Sequence, residues 1–163
     1  MIARAIATLG GVGYLRPAPG TWGSAASLPL AYLLHILGGP WALVAGLGLA
    51  CALGWWATWV ETRDSANHDP SEIVIDELAG QWIALLPVSF GAAIAGADIL
   101  ALYPGWIAAF LLFRLFDITK PWIIGWADRR GDALGVMLDD IFAGAFAALG
   151  VAALAALAHL AFV

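Results

Sequence analysis

Two pairs of adjacent acidic residues stand out because each pair opens a long apolar run. They are Asp76-Glu77 and Asp139-Asp140, in a chain that is 63% hydrophobic and only 12% charged. Carboxylate oxygens are ligands that hard divalent cations prefer, and a carboxylate where a helix enters hydrocarbon lies between water and lipid. The two pairs therefore predict a metal site at a membrane surface, with these four acids as its ligands.

Helix geometry adds detail to this prediction. Neighbouring residues on a helix point about 100° apart, so one acid of each pair faces the site while the other takes a second metal position or a cap. A glycine follows one turn after an acid in each run, Gly80 after Asp76 and Gly144 after Asp140, and would let a neighbouring helix approach closely. N-capping and compensation of the helix dipole would explain one such pair. Two pairs in a chain with so few charges favour a functional site over capping alone.

A second cluster of chemical groups surrounds Arg114. Asp117 and Pro121 share its helical face, which ends where Pro121 stops the helix, and Lys120 projects from that end. A guanidinium inside an apolar segment needs a partner, which is Asp117, a substrate phosphate, or both in turn. Arg114 and Lys120 are accordingly candidates for phosphate binding.

Two polar stretches complete the candidate site. Thr21 and Ser24 follow a turn that contains Pro19 and Gly20, where free N–H groups and hydroxyls suit a phosphate, although Ser24 fits a plain N-cap equally well. His68, in a polar connector, is a candidate proton shuttle.

Composition and missing motifs exclude several classes of function. A net charge of -5 argues against nucleic acid as a partner, since phosphate neutralisation needs clustered Lys and Arg. The single cysteine is not followed by a loop ending in arginine, and the chain has neither a Gly-x-Ser-x-Gly elbow nor a nucleotide-binding glycine pattern. The class of function that remains is metal-assisted chemistry on an anionic group at the membrane surface.

Hydropathy predicts an all-α, polytopic membrane helix bundle that forms a single domain over residues 1–163. The mean hydropathy is +0.89 and the chain contains nine tryptophans. Five apolar segments have boundaries near 24–37, 41–60, 73–90, 99–116 and 138–163. The first is short for a full span of about 20 residues. We therefore expect about four to five spans plus a short N-terminal helix or re-entrant segment.

Counting spans decides which connectors share a side of the membrane. With five spans, the N-terminal region and the connectors after the second and fourth segments lie together, and every candidate site residue falls on that side. So do all seven basic residues, which are Arg4, Arg16, Arg63, Arg114, Lys120, Arg129 and Arg130. The positive-inside rule makes this face cytoplasmic.

Four ordered sequence blocks carry a resemblance to a known family. They read PGTWGS, HDPSEIVIDELAGQW, FRLFDITKPW and GVMLDDIFAG, and together they cover most of the chain from about Gly13 to Gly144. In this order and spacing the chain resembles the bacterial phosphatidylglycerophosphatase A family. The departures are small: Ile123 follows Trp122 where proline often stands, and Glu72 adds a charge to its loop.

The resemblance implies a magnesium-dependent enzyme of the bacterial inner membrane. Such an enzyme removes the terminal phosphate of phosphatidylglycerophosphate and leaves phosphatidylglycerol, so its partners are a phospholipid substrate and membrane lipids. The family's acidic positions match Asp69, Asp76, Glu77, Asp117, Asp139 and Asp140.

These observations combine into one mechanistic hypothesis. Mg²⁺ held by the two acid pairs bridges the phosphomonoester, while Arg114 and Lys120 neutralise its oxygens. The nucleophile is a water or a carboxylate, with Asp69 or Asp117 as base or attacking group, and we favour water.

Two other classes of membrane protein remain as alternatives. A metal or ion transporter would place its acids at mid-membrane, whereas here they lie at segment ends. A structural membrane protein would tolerate replacement of both acid pairs. Phosphatidyl transfer from a CDP-lipid lacks its spaced Asp-Gly-Ala-Arg signature.

Overall fold

Helices make up all the regular structure of residues 1–65, 67 and 69–162, the part of the chain that the computed structural model describes. Short 3₁₀ turns at Leu9–Tyr14 and Ile99–Leu102 connect some of them. The α-helices are α1 (Ile2–Ala7), α2 (Pro19–Thr62), α3 (Ile75–Ala95), α4 (Tyr103–Thr119), α5 (Ile123–Asp128) and α6 (Ala133–Phe162).

Four of the described helical stretches are long and apolar enough to cross a membrane. They comprise α2, α3, α4 with its preceding 3₁₀ turn, and α6. Large apolar side chains are exposed on the outer faces of α2, α4 and α6, among them Leu33, Leu49, Ile107, Leu111 and Leu157. Such faces suit contact with lipid, and the prediction of an all-α membrane bundle is confirmed.

The long helix α2 is a hairpin of two arms, residues 19–37 and 40–62. Its backbone leaves the helical region at Gly38 and Gly39, and Gly39 has φ 65° and ψ -159°, a conformation open essentially to glycine alone. The arms lie side by side, since a Cβ added to Gly46 would be 2.6 Å from Leu34 Cδ1. At about 1.5 Å per residue the first arm is about 28 Å long, which suffices to cross the hydrocarbon. The chain therefore traverses the bundle five times.

The start of α6 differs from the prediction. We predicted that the last apolar segment begins at Leu138, but α6 begins at Ala133. Asp132 precedes it, and its carboxylate accepts the Gly135 N–H at 2.7 Å, as an N-cap residue does. Asp139 and Asp140 consequently lie beyond the first turn of α6. Compensation of the helix dipole by acidic residues therefore applies only to Asp76 and Glu77, in the first turn of α3.

Contacts between distant segments bring the N-terminal region and the connector between α2 and α3 together at one end of the bundle, which we call the site end. Arg4 Nε donates to Glu61 Oε2 at 2.8 Å, and the Val74 N–H donates to the Ala7 carbonyl at 2.8 Å. The α2 turn lies at the opposite end, where the rings of Trp41 and Phe90 meet edge to face with centroids 5.4 Å apart. This arrangement matches the side assignment predicted by counting spans.

Helix α3 occupies the centre of the bundle and packs chiefly against α2 and α6. Its closest approach to α6 occurs at two glycines, because a Cβ on Gly144 would overlap the Gly80 carbonyl and a Cβ on Gly80 would lie 2.6 Å from the Asp140 carbonyl oxygen. The glycines that follow the acid pairs therefore bring the two helices together beside the carboxylates, as the sequence predicts.

Candidate active site

Glu77 lies in the first turn of α3, where its carboxylate contacts residues of α2 and α4. The Ser24 hydroxyl, on the first arm of α2, donates to Glu77 Oε2 at 2.9 Å, with the Gly20 carbonyl as a second acceptor also at 2.9 Å. From α4, Arg114 Nη1 forms an ion pair with the same Glu77 oxygen. Glu77 thus joins three helices, and its side chain is only 11% exposed.

Arg114 holds two carboxylates with one nitrogen. Besides Glu77, its Nη1 pairs with Asp117 Oδ2 at 2.7 Å, one turn further along α4. Asp117, one of the partners that the sequence allows for Arg114, is therefore paired with it, and Glu77 is a further partner. Arg114 Nε is buried and has no hydrogen-bond partner among the described residues.

Three buried carboxylates from three helices form one group. An oxygen from each of Glu77, Asp117 and Asp140 lies within 4.8 Å of the other two. Only Glu77 and Asp140 of our four predicted ligands belong to this group, one from each acid pair, and Asp117 joins them in place of a second member. The 100° offset between helix neighbours accounts for this, because adjacent acids cannot both face the same point.

Asp140 is the least satisfied member of the group. It is 3% exposed, and its Oδ1 has no hydrogen-bond partner in the part of the chain described. The contact between Gly80 and Gly144 holds its backbone directly against α3.

The remaining acid of each pair is buried beside the group. Asp76 Oδ1 accepts the Glu77 N–H at 2.9 Å, which satisfies a free amide of the first turn of α3. Asp139 Oδ2 pairs with Lys120 Nζ at 2.8 Å. Lys120 also pairs with Asp128, the last residue of α5. Burial alone would lower the pKa of Lys120, but these two ion pairs outweigh it and raise the pKa above its ordinary value, so Lys120 stays cationic.

The other predicted residues lie around this core. Asp69 is on the surface loop that precedes α3. Partial loss of solvent contact raises the pKa of its carboxyl group. The charge of Lys120 lowers this pKa, and the charge of Asp128 raises it further. Thr21 is half-buried in the first turn of α2. His68 lies outside the described residues.

Ser24 is placed differently from one of its two predicted roles. Since α2 begins at Pro19 after Ala18, Ser24 is already in the second turn, and the N-cap interpretation is wrong. Its hydroxyl is fully buried and bonded to Glu77.

Gly20 and Asp128 are site residues that the sequence argument did not assign. A Cβ on Gly20 would overlap Glu77 Oε1 and lie 3.2 Å from Arg114 Nη1, so a side chain at this position would push the Glu77 carboxylate out of its present position. The glycine after Pro19 in the PGTWGS block is the sequence signal that could have identified Gly20. Asp128 is the last residue of the short helix α5, and no local sequence pattern predicts its contact with Lys120.

The charge balance of the site suits a divalent cation. Five carboxylates converge here, from Asp76, Glu77, Asp117, Asp139 and Asp140, whereas Arg114 and Lys120 are the cations that pair with members of this set. Buried charges need compensation, and hard oxygen ligands are those that Mg²⁺ and Ca²⁺ take. The Asp140 carboxylate, whose Oδ1 has no partner among the described residues, groups with two further carboxylates and fits such an ion.

Comparison with known proteins agrees with this chemistry. The family model described as Phosphatidylglycerophosphatase A matches residues 5–155. The chain is 38% identical to Phosphatidylglycerophosphatase A of Escherichia coli (strain K12) over 135 residues, covering 80% of this chain and 70% of the relative. It is 38% identical to the Haemophilus influenzae protein of the same name over 146 residues, covering 88% and 83%.

A third relative carries a different name. "Putative phosphatidylinositol-3-phosphatase" of Bacteroides thetaiotaomicron is 34% identical over 146 residues, covering 87% of this chain and 86% of the relative. The comparison with solved structures gave no significant match. The family model spans nearly the whole chain, including every block that supplies the carboxylate group, and the chain therefore belongs to the phosphatidylglycerophosphatase A family.

Proposed function

We propose that this protein, as one membrane-embedded domain, hydrolyses the terminal phosphate of phosphatidylglycerophosphate to give phosphatidylglycerol and inorganic phosphate, in glycerophospholipid biosynthesis. The observation that carries the proposal is the buried group of Glu77, Asp117 and Asp140 with Arg114 among them. The names of the two relatives at 38% identity supply the substrate.

A divalent cation, which we propose to be Mg²⁺, fits the site. Glu77, Asp117 and Asp140 would hold it, with Asp76 and Asp139 close by as further carboxylates. When bound, it would neutralise charge on the phosphoryl oxygens.

Arg114 and Lys120 are the proposed phosphoryl-binding residues. Arg114 Nε is a buried donor without a partner among the described residues, so it is free to bind an anionic oxygen while Nη1 keeps its carboxylates in place. Lys120 stays cationic and its side chain is 29% exposed, so it can reach a headgroup from the site's outer edge. Thr21, near the start of α2, is a further candidate, whereas Ser24 acts through Glu77.

The chemical step breaks the bond between phosphorus and the glycerol oxygen. A water oxygen attacks phosphorus, its proton passes to a carboxylate, and the glycerol oxygen leaves and takes up a proton. Asp69 suits the base, because its raised pKa increases its proton affinity and it is not paired in the way that Arg114 pairs Asp117. Trapping of a phosphorylated aspartate would instead favour a carboxylate nucleophile.

The site's position suits a lipid substrate. It lies at the end of the bundle where Trp122, just before α5, and Trp126, within α5, are exposed, and aromatic residues of this kind favour the membrane interface. The basic residues of this end make it the cytoplasmic face of the bacterial inner membrane by the positive-inside rule. A transporter is less consistent with acids at the ends of the spans.

The test is a panel of phosphomonoesters assayed with the purified protein in detergent, with Mg²⁺ and with EDTA. The panel contains phosphatidylglycerophosphate, a phosphatidylinositol-3-phosphate and glycerol 3-phosphate. We expect phosphate release from the first, loss of release with EDTA, and recovery on adding Mg²⁺. If the protein prefers the inositol lipid, its substrate is of the class named for the third relative. If only the soluble ester is hydrolysed, the proposal of a lipid substrate is wrong.

A further inference from the structure

Gln81 is a fully buried polar residue that the proposed mechanism does not use. It lies on α3 one helical turn after Glu77, further into the bundle, and is 0% exposed. Neither its Oε1 nor its Nε2 has a hydrogen-bond partner among the described residues. An amide with both groups unpaired in the core of a membrane bundle is unfavourable, because no water is available there to replace the missing bonds.

Unpaired buried groups concentrate at this end of α3. Five buried side-chain atoms lack a partner in the described part of the chain, and four of them belong to Gln81, Arg114 and Asp140. The fifth is Thr58 Oγ1, on the second arm of α2. This helix contributes no residue to the group of Glu77, Asp117 and Asp140. Native interiors satisfy nearly all buried polar groups, so such a concentration indicates a place where a ligand supplies the missing bonds.

Helix geometry directs the Gln81 amide toward the carboxylates. Residues four apart lie on the same face, and helical side chains lean toward the N-terminus, which for Gln81 is the turn that carries Glu77. Its neighbour Gly80 touches the backbone of Asp140. Gln81 therefore lies on the same face of α3 as Glu77, one turn further into the bundle.

We propose that the Gln81 amide carbonyl is an additional, neutral ligand of the cation held by Glu77, Asp117 and Asp140. This inference rests on the cation site of the proposed function. Glutamine carbonyls are ordinary ligands of hard divalent cations, and a neutral oxygen adds coordination without adding charge to a site already rich in carboxylates. The amide nitrogen remains available as a donor to a carboxylate oxygen such as the unpaired Asp140 Oδ1.

The substitution Gln81→Met separates a ligand role from a structural one. Methionine has a similar length, favours helices and carries no strong polar group, so it removes the unpaired amide without leaving a large cavity. As a ligand, Gln81 is unfavourable without the cation, so the variant should be as stable as wild type or more stable in EDTA, while its cation affinity falls about tenfold. As a structural residue, its replacement would lower stability in EDTA and leave the affinity unchanged.

The experiment measures Mn²⁺ binding by electron paramagnetic resonance on the full chain in detergent, with Mg²⁺ as competitor, and thermal unfolding with and without Mn²⁺. We expect Gln81→Met to weaken Mn²⁺ binding and to reduce the Mn²⁺-dependent rise in unfolding temperature. Gln81→Glu, which keeps an oxygen at this position, should bind Mn²⁺ at least as tightly as wild type. Thr58→Val is the matched control, since it removes the other unpaired group and should leave affinity unchanged.

The possible failures point to different conclusions. Unchanged Mn²⁺ affinity in Gln81→Met, or a Gln81→Met protein that does not fold, overturns the ligand role of Gln81 alone. Absence of Mn²⁺ binding in wild type overturns the cation site and the role of Gln81 with it. Because binding is measured without turnover, the phosphomonoester panel still tests the proposed hydrolysis separately.

Discussion

Arg114 is the residue that connects the acids of the site. It lies in an apolar helix and pairs with Glu77 and Asp117, two carboxylates that would otherwise repel each other. Removing one partner of a buried ion pair is costly because the other charge is left uncompensated. Asp140 is the contrasting case, since its Oδ1 has no such partner in the described structure.

This contrast predicts the effect of Asp140→Asn. The substitution preserves shape and removes one negative charge, so we expect phosphate release to fall by roughly 100-fold through loss of the cation. The unfolding temperature in EDTA should not fall, because the variant lacks a buried, unpaired charge. Phosphate release and thermal unfolding in detergent check the two expectations.

The control for this variant is Asp98→Asn. Asp98 is exposed at the opposite end of the bundle, where its carboxylate accepts the Leu100 N–H at 2.9 Å, a role that asparagine can keep. It should leave activity unchanged. Full activity in Asp140→Asn would contradict a role for Asp140 in the site.

The crossing of α3 and α6 determines which carboxylates meet. Gly80 and Gly144 touch at the crossing, and the group formed by Glu77 and Asp140 lies beside it. Side chains at either glycine would force the helices apart.

The substitution Gly144→Ala tests this arrangement. Its Cβ would overlap the Gly80 carbonyl, so we expect a loss of about 1–3 kcal/mol in the free energy of unfolding, as for other overpacked interiors. Activity should also fall, because Asp140 moves away from Glu77. Thermal unfolding and phosphate release with increasing Mg²⁺ measure both effects.

Gly48→Ala is the matched control in a helix. No atom lies within 4 Å of a Cβ at Gly48, and alanine is the better helix former by about 1 kcal/mol. This variant should be slightly more stable and fully active. If Gly144→Ala behaves in the same way, close helix contact is not what brings the acids together.

The sequence predicted helices better than it predicted the grouping of side chains. Apolar length and the breaks at Gly38-Gly39 and Pro121 suffice to locate most helices, because those residues interrupt helical hydrogen bonding locally. The predicted start of α6 is wrong because Gly131 and Gly135 before Leu138 are typical of a connector, whereas Asp132 between them acts as the N-cap of the helix. Membership of the carboxylate group depends on helix rotation and crossing, which no local pattern encodes.

The five traversals of the bundle place its two ends on opposite sides of a membrane. Cys51 is the only cysteine and lies within the α2 hairpin. A Cys51→Ser background therefore allows single cysteines to report the side of each connector.

We predict opposite labelling for Ser71→Cys and Ala97→Cys in that background. Both positions are exposed, Ser71 at the site end and Ala97 in the connector after α3. A membrane-impermeant maleimide should label Ser71→Cys in inside-out vesicles and Ala97→Cys in right-side-out vesicles. Labelling of both from one side would contradict the five-traversal topology.

The distribution of the carboxylate group over α3, α4 and α6 has a consequence for how the protein is made. Ribosomes deliver the chain from its N-terminus, so Glu77 reaches the bilayer before Arg114 does, and Asp140 arrives last. Until Arg114 arrives, α3 carries acids that lack their compensating charge, which favours holding its first turn at the water-facing surface rather than deeper in lipid. The same acids that serve the finished site would thus help to set the depth of α3 while the protein is still being assembled.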